Sequence, residues 1–147
     1  MLRFRIVALS VCICILTGCI CILTGCGRDG FAPVHGQLLY PDGSPAKDLE
    51  GFNIVFEGTA ADGRGYSSLG IIDAEGKFTV FTNKPGDGAP VGLCRVLIEP
   101  KMIDSEREFA YPIDSEYRSF ETSGLTFEVQ NGKNTVQFTV EPSKKNP

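Results

Sequence analysis

The chain has no Trp, two Met and a single His in 147 residues. One imidazole excludes a multi-histidine metal centre, and no Gly-x-Ser-x-Gly elbow, phosphate-binding glycine loop or His/Cys metal spacing takes its place. No metal, cofactor or catalytic residue is therefore assigned. Basic side chains are fewer than acidic ones, 14 against 18, for a net charge of −4. That balance cannot neutralise a row of phosphates, so nucleic acid is excluded as a partner. Outside the first 26 residues no segment of useful length repeats apolar residues at helical spacing. Thiols are also scarce there: Cys12, Cys14, Cys19, Cys21 and Cys26 cluster at the front, leaving Cys94 alone. What is abundant is Gly (17) and Pro (9), the residues of frequent turns. With 42% apolar and 22% charged residues, the composition is that of one folded domain.

Arg3 and Arg5 precede a stretch from Ile6 to Cys26 with no charge at all. A basic start, an apolar run and small residues at its end are the parts of a secretory signal. Residues 12–18, Cys-Ile-Cys-Ile-Leu-Thr-Gly, are repeated at 19–25, so Leu-Thr-Gly-Cys ends at Cys19 and again at Cys26. This tetrapeptide resembles the lipobox of bacterial lipoproteins. In that family a peptidase cuts before the Cys, whose sulfur receives a diacylglycerol. Cys26 is the favoured lipidation site, with Cys19 the alternative, because Cys26-Gly-Arg-Asp-Gly30 leads into a polar tether at 26–32. The competing reading is an uncleaved anchor, since 21 residues just span about 30 Å of hydrocarbon at helical rise. Either way the body is expected on a membrane of the cell envelope, facing away from the cytoplasm. Gly27 rather than Asp after the Cys favours the outer membrane by the enterobacterial sorting rule.

Beyond the leader (1–25) the period changes to alternation. Val34, Gly36, Leu38 and Tyr40 predict a first strand; Phe52, Ile54 and Phe56 a second; Tyr66–Asp73 a third; Phe78, Val80 and Thr82 a fourth. Cys94–Glu99, Leu125–Val129 and Val136–Val140 complete seven. Turn chemistry separates them at Pro41-Asp-Gly-Ser-Pro45, Asp73-Ala-Glu-Gly76, Pro85-Gly-Asp-Gly-Ala-Pro90 and Asn131-Gly132. Seven short strands imply an all-β sandwich over 33–142, with a polar tail at 143–147.

Several of these segments, in order, resemble small transthyretin-like (carboxypeptidase regulatory-like) lipoproteins of planctomycete type. They are Pro33-Val-His-Gly36, Tyr40-Pro-Asp-Gly-Ser-Pro45, Asn53-Ile-Val-Phe56, Asp73-Ala-Glu-Gly-Lys-Phe78, Gly86-Asp-Gly-Ala-Pro-Val-Gly92, Tyr117-Arg118, Thr122-Ser-Gly-Leu125 and Asn131-Gly-Lys-Asn134. The resemblance spans residues 33–140 and implies a prealbumin-like sandwich, with no reaction attached. Cys94 stands where that pattern has an aromatic residue. Hydrolases of this fold cleave hydroxyisourate with several His and Arg residues and a C-terminal Tyr-Arg-Gly-Ser. Here His35 is alone, and Tyr117-Arg118-Ser119 is internal and lacks the Gly.

His35 lies on the face opposite Val34 and Gly36 and is expected in solvent. Cys94 shares a face with Val96 and Ile98 and is expected as a buried, inert thiol. The Asp73 turn only faintly resembles a Ca²⁺ loop and lacks a full ligand set. The stretch Met102–Glu121 is long for a connection and interleaves acids with Phe109, Tyr111, Tyr117 and Phe120. These four rings are the candidate partner-binding loop, for an envelope protein or a glycan. The alternatives are a Ca²⁺-binding acidic loop and a solvated crossover whose rings cap the sandwich. Exposed rings would favour a binding module; buried rings would favour a structural surface protein. A hydrolase is the remote third reading.

Overall fold

The computed structural model describes residues 30–100 and 111–144. The leader, for which an apolar helix is expected from the sequence, lies outside the described residues, as do Cys19, Cys26 and Phe109. The body is all-β. Its strands are β1 (Phe31–Ala32), β2 (Val34–Leu39), β3 (Asn53–Thr59), β4 (Gly65–Ile71), β5 (Lys77–Phe81), β6 (Ala89–Pro90), β7 (Gly92–Glu99), β8 (Leu125–Val129) and β9 (Asn134–Thr139). Short 3-10 turns at Lys47–Leu49 and Ser115–Arg118 interrupt two connections.

Seven strands form one curled sheet in the order β8-β7-β3-β4-β5-β2-β9, a near-barrel. Within it β3, β4 and β5 follow as hairpins and β7 returns beside β3, which is a Greek key. All neighbours are antiparallel except β2 and β9, which pair in parallel from Val34–Asn134 to Leu39–Thr139. The sheet bends at β5. Its first residues pair with β2 (Gln37–Lys77, Gly36–Phe78, His35–Thr79), whereas Val80 and Phe81 pair with Gly70 and Leu69 of β4. One strand thus serves both layers, as at the corner of a sandwich.

Alternation fixes which side chains enter the core. Val34 and Leu38 of β2, Ile54 and Phe56 of β3, Phe78 and Val80 of β5, and Val136 and Phe138 of β9 all point inward and are buried. The Phe56 ring sits 6.1 Å from Phe78 and 6.2 Å from Phe138, joining strands from both layers. Fully burying such a ring is worth about 1.5–3 kcal/mol. Gly36 permits this packing: a Cβ there would lie 2.3 Å from the Phe78 ring and 2.7 Å from the Val136 carbonyl.

Two boundaries and the strand count differ from the sequence expectation. Residues 30–32, expected as tether, belong to the body. Phe31 and Ala32 pair with Pro90 and Ala89, and the Gly30 carbonyl accepts from the Val91 amide at 2.8 Å. At the other terminus the Ser143 amide donates to the Pro112 carbonyl, so the tail begins one residue later than expected. The strand count is nine rather than seven, because β1 and β6 have two residues each and carry no readable period. Among the described residues no helix is long and apolar enough to cross a membrane.

Candidate functional site: the two ends of the barrel

The strands run between two ends of different character. The chain enters at the end that also holds the turns at 60–64, 82–88 and 130–133; this is the entrance end. Pro33 accepts from the Asn134 amide and Gly30 lies against Ala60 and Ala61, which ties these turns to the start of the body. The opposite, distal end holds the connections at 40–52, 72–76, 111–124 and 140–144.

At the entrance end, Asp87 organises the turn after β5. Its carboxylate accepts from the backbone amides of Thr82 (2.7 Å), Asn83 (2.9 Å) and Lys84 (3.1 Å). Partial burial works to raise its pKa, but the three amide donors outweigh it and hold the carboxyl below its ordinary value. Gly88 follows at φ +87°, where a Cβ would lie 1.7 Å from the Ala32 carbonyl oxygen. Only glycine lets β1 and this turn approach so closely. Asn134 closes the neighbouring hairpin: its amide nitrogen donates to the carbonyls of Gln130, Gly132 and Pro33, and its Oδ1 accepts from the Gln130 amide. Phe31 and Tyr66 meet edge-on at 4.9 Å across the mouth.

The distal end carries three of the four candidate rings, and packing uses all three. Tyr117 is buried, and its hydroxyl accepts from the Glu141 amide at 3.1 Å. Tyr111 packs edge-on against Phe52 at 6.1 Å, while the Arg118 guanidinium lies 3.8 Å from its ring centroid. Phe120 is half-buried beneath Arg95, which also pairs with Glu57 on the outer wall. These rings do not form one exposed cluster. Tyr111 and Tyr117 cover the distal end of the core and Phe120 lies on the outer wall under Arg95, beside the connection before β8, where Ser123 donates to the Val96 carbonyl.

His35 is exposed, as its face implied, and its Nδ1 shares a 3.0 Å hydrogen bond with Thr79 Oγ1. It borders an open notch of about 450 Å³ with Ile71, Asp73, Lys77, Thr79 and Phe81. Asp73 is the one carboxylate there, and its Oδ1 is occupied by the amides of Glu75 and Lys77. That bonding makes the Asp73 segment a hairpin turn. Among the described residues no nucleophile–base–carboxylate array assembles around His35. Cys94 is wholly buried, and burial pushes its thiol up to about 11, so it is a neutral core group. Among the described residues no three His, Cys, Asp or Glu side chains converge as a metal site.

Charge is divided unevenly between the ends. The entrance-end turns hold Arg64, Lys84 and Lys133 against Asp62 and Asp87. The distal connections hold Asp42, Asp48 and Glu50, then Asp73 and Glu75, then Asp114, Glu116 and Glu121, and finally Glu141. Only Lys47, Arg118 and Lys144 oppose them there. The distal connections of the described body are thus strongly acidic, whereas the entrance-end turns are slightly basic, with Glu128 beside Leu93 offsetting them on the outer wall.

One feature was not singled out as functional from sequence. Leu93 is 68% exposed on the outer wall near the entrance end, opposite Glu128. The signal was available: Leu93 alternates against Cys94, Val96 and Ile98, which places it outside. No protein-family model, curated protein or solved structure matches the chain.

Proposed function

We propose that this chain is a lipid-anchored, non-enzymatic module of the cell envelope, with a body of the transthyretin-like sandwich type. The observation that carries the anchoring is the uncharged run Ile6–Cys26, which ends in two successive Leu-Thr-Gly-Cys boxes. The second box lies only four residues before Gly30, where the chain is already hydrogen-bonded into the body. The Greek key and the corner at β5 support the sandwich type, an architecture shared by many cell-surface domains. Fold alone assigns no reaction.

Between a binder and a structural surface protein, the rings favour the structural role. Tyr111, Tyr117 and Phe120 are engaged with Phe52, Arg118, Glu141 and Arg95 rather than offered to a partner. Intact-mass analysis of the membrane fraction tests the anchoring. The expected product begins at Cys26, or at Cys19, and carries the added mass of acyl chains. Unprocessed, acyl-free chain in the cytosol would overturn it. Pull-down from envelope extracts with a Tyr111→Ser/Phe120→Ser variant separates the roles: equal recovery of partners, or none, is expected for a structural protein.

A further inference from the structure

We infer that the body meets the bilayer end-on, with its entrance end against the lipid headgroups and Leu93 as its apolar contact. This rests on the anchoring proposed above and adds an orientation to it. Three independent features agree. The first is reach. Three residues separate Cys26 from Gly30, so a chain lipidated at Cys26 holds Gly30 four steps away, within about 14 Å of the anchor even when fully extended.

The second is charge. A tether of that length still lets the body swing, and the field then selects the orientation. Phospholipid surfaces containing anionic headgroups attract basic groups within a Debye length, about 8 Å at physiological salt, and repel acidic ones. Lys84 and Lys133 stand at the entrance end and make no ion pair among the described residues. The acid-rich connections all lie at the distal end, so tipping the body over would bring nine carboxylates, opposed by three bases, toward the headgroups. The third is apolar exposure. Only Ile71 and Leu93 are large exposed hydrophobic side chains among the described residues, and Leu93 is the one placed toward the entrance end, beside the single carboxylate of Glu128.

The absence of Trp makes the test direct. Leu93→Trp puts one indole at the proposed contact, and Ala74→Trp puts one on an exposed turn at the distal end. Each full-length protein is expressed with processing intact and reconstituted into phosphatidylethanolamine vesicles with a minority of phosphatidylglycerol and brominated phosphatidylcholine. Because both sites are exposed, unchanged thermal unfolding is expected and is checked first. The indole at position 93 should be quenched at least about twofold more than that at 74, since interfacial groups sit about 5–10 Å into the headgroup region. Adding Lys84→Glu and Lys133→Glu to the position-93 variant should remove most of that difference. Vesicle flotation with equal quenching at both sites, or stronger quenching at 74, would leave the anchoring standing and overturn the orientation. Failure to float would overturn both.

Discussion

At the entrance end Asp87 and Asn134 clamp the turns with side-chain hydrogen bonds; at the distal end, where Asp42, Asp73 and Asp114 also bind backbone amides in exposed turns, rings cover the core. Asp87 accepts three amides and Asn134 makes four hydrogen bonds to its own hairpin and to Pro33. The distal end relies on Tyr117, Tyr111 and Phe52, with Arg118 stacked outside. A clamp made of charge–dipole bonds has strict geometry and titrates. A cap made of rings tolerates small shifts and does not titrate near neutrality. The two ends should therefore fail differently, and each substitution below separates them.

The largest effect is expected at Gly88. Alanine there meets the Ala32 carbonyl at 1.7 Å and must also hold φ +87°, so β1 has to detach or the turn has to move. A loss of about 4 kcal/mol or more in urea unfolding is expected, at the upper end for single substitutions. Gly86→Ala is the control. It shares the positive φ (+83°) but meets nothing within 4 Å, and should cost only about 1–2 kcal/mol. Equal losses at both positions would mean that close approach to β1 does not govern this end.

Tyr117→Ala should come next, at about 3–5 kcal/mol, as for other large buried rings. Tyr117→Phe should cost only about 1 kcal/mol, because it removes one hydrogen bond and leaves the Glu141 amide able to reach water. If the Phe variant proves as unstable as the Ala variant, the distal cap is held by the hydroxyl rather than by packing.

Much of this contrast was legible in the sequence, and unevenly. The entrance-end turn announces itself in Gly86-Asp-Gly-Ala-Pro90, because Asp and Gly have known local preferences. The strands from Val34 to Val140 follow from alternation, and so do the exposure of His35 and the burial of Cys94. The pairs β1 and β6 were missed because two residues cannot display a period. The fate of Tyr111, Tyr117 and Phe120 was also illegible: rings in an irregular connection have no spacing that tells inside from outside. The same acids and aromatics would compose a binding lip or a cap, and only the partners Phe52, Glu141, Arg118 and Arg95 decide between them.

Acid should act on the entrance end through Asp87, which is partly buried, whereas the lowered carboxyls of Asp42 and Glu121 at the distal end are exposed. The Asp87 carboxyl is held below its ordinary value by the amides of Thr82, Asn83 and Lys84, against the opposing effect of burial. Its contribution is therefore complete above the unfolded value of about 3.9 and disappears as pH falls through the lower folded value. Asp87→Ala should cost about 1–3 kcal/mol at neutral pH, from amides left without their acceptor. Its stability should then decline less than that of the wild type between about pH 5 and pH 2. Parallel acid profiles would show that Asp87 is not the titrating clamp, whatever the cost at neutrality.

The smallest expected effect tests whether the distal cap owes anything to charge. Arg118 lies over Tyr111 at 3.8 Å but is itself exposed, so its guanidinium remains largely hydrated. Exposed cation–π contacts contribute about 0.5–1 kcal/mol, and Arg118→Ala should lose about that much. Arg118→Met should recover part of the loss, because a long apolar side chain still covers the Tyr111 ring while lacking charge. If packing and cation–π attraction alone hold this contact, the loss should be the same at pH 3 and at pH 8. This flat profile is the counterpart of the acid-sensitive profile expected at Asp87. A pH-dependent loss at Arg118 would mean that neighbouring carboxylates such as Glu116 help hold the cap, and that the two ends differ less than their geometry implies.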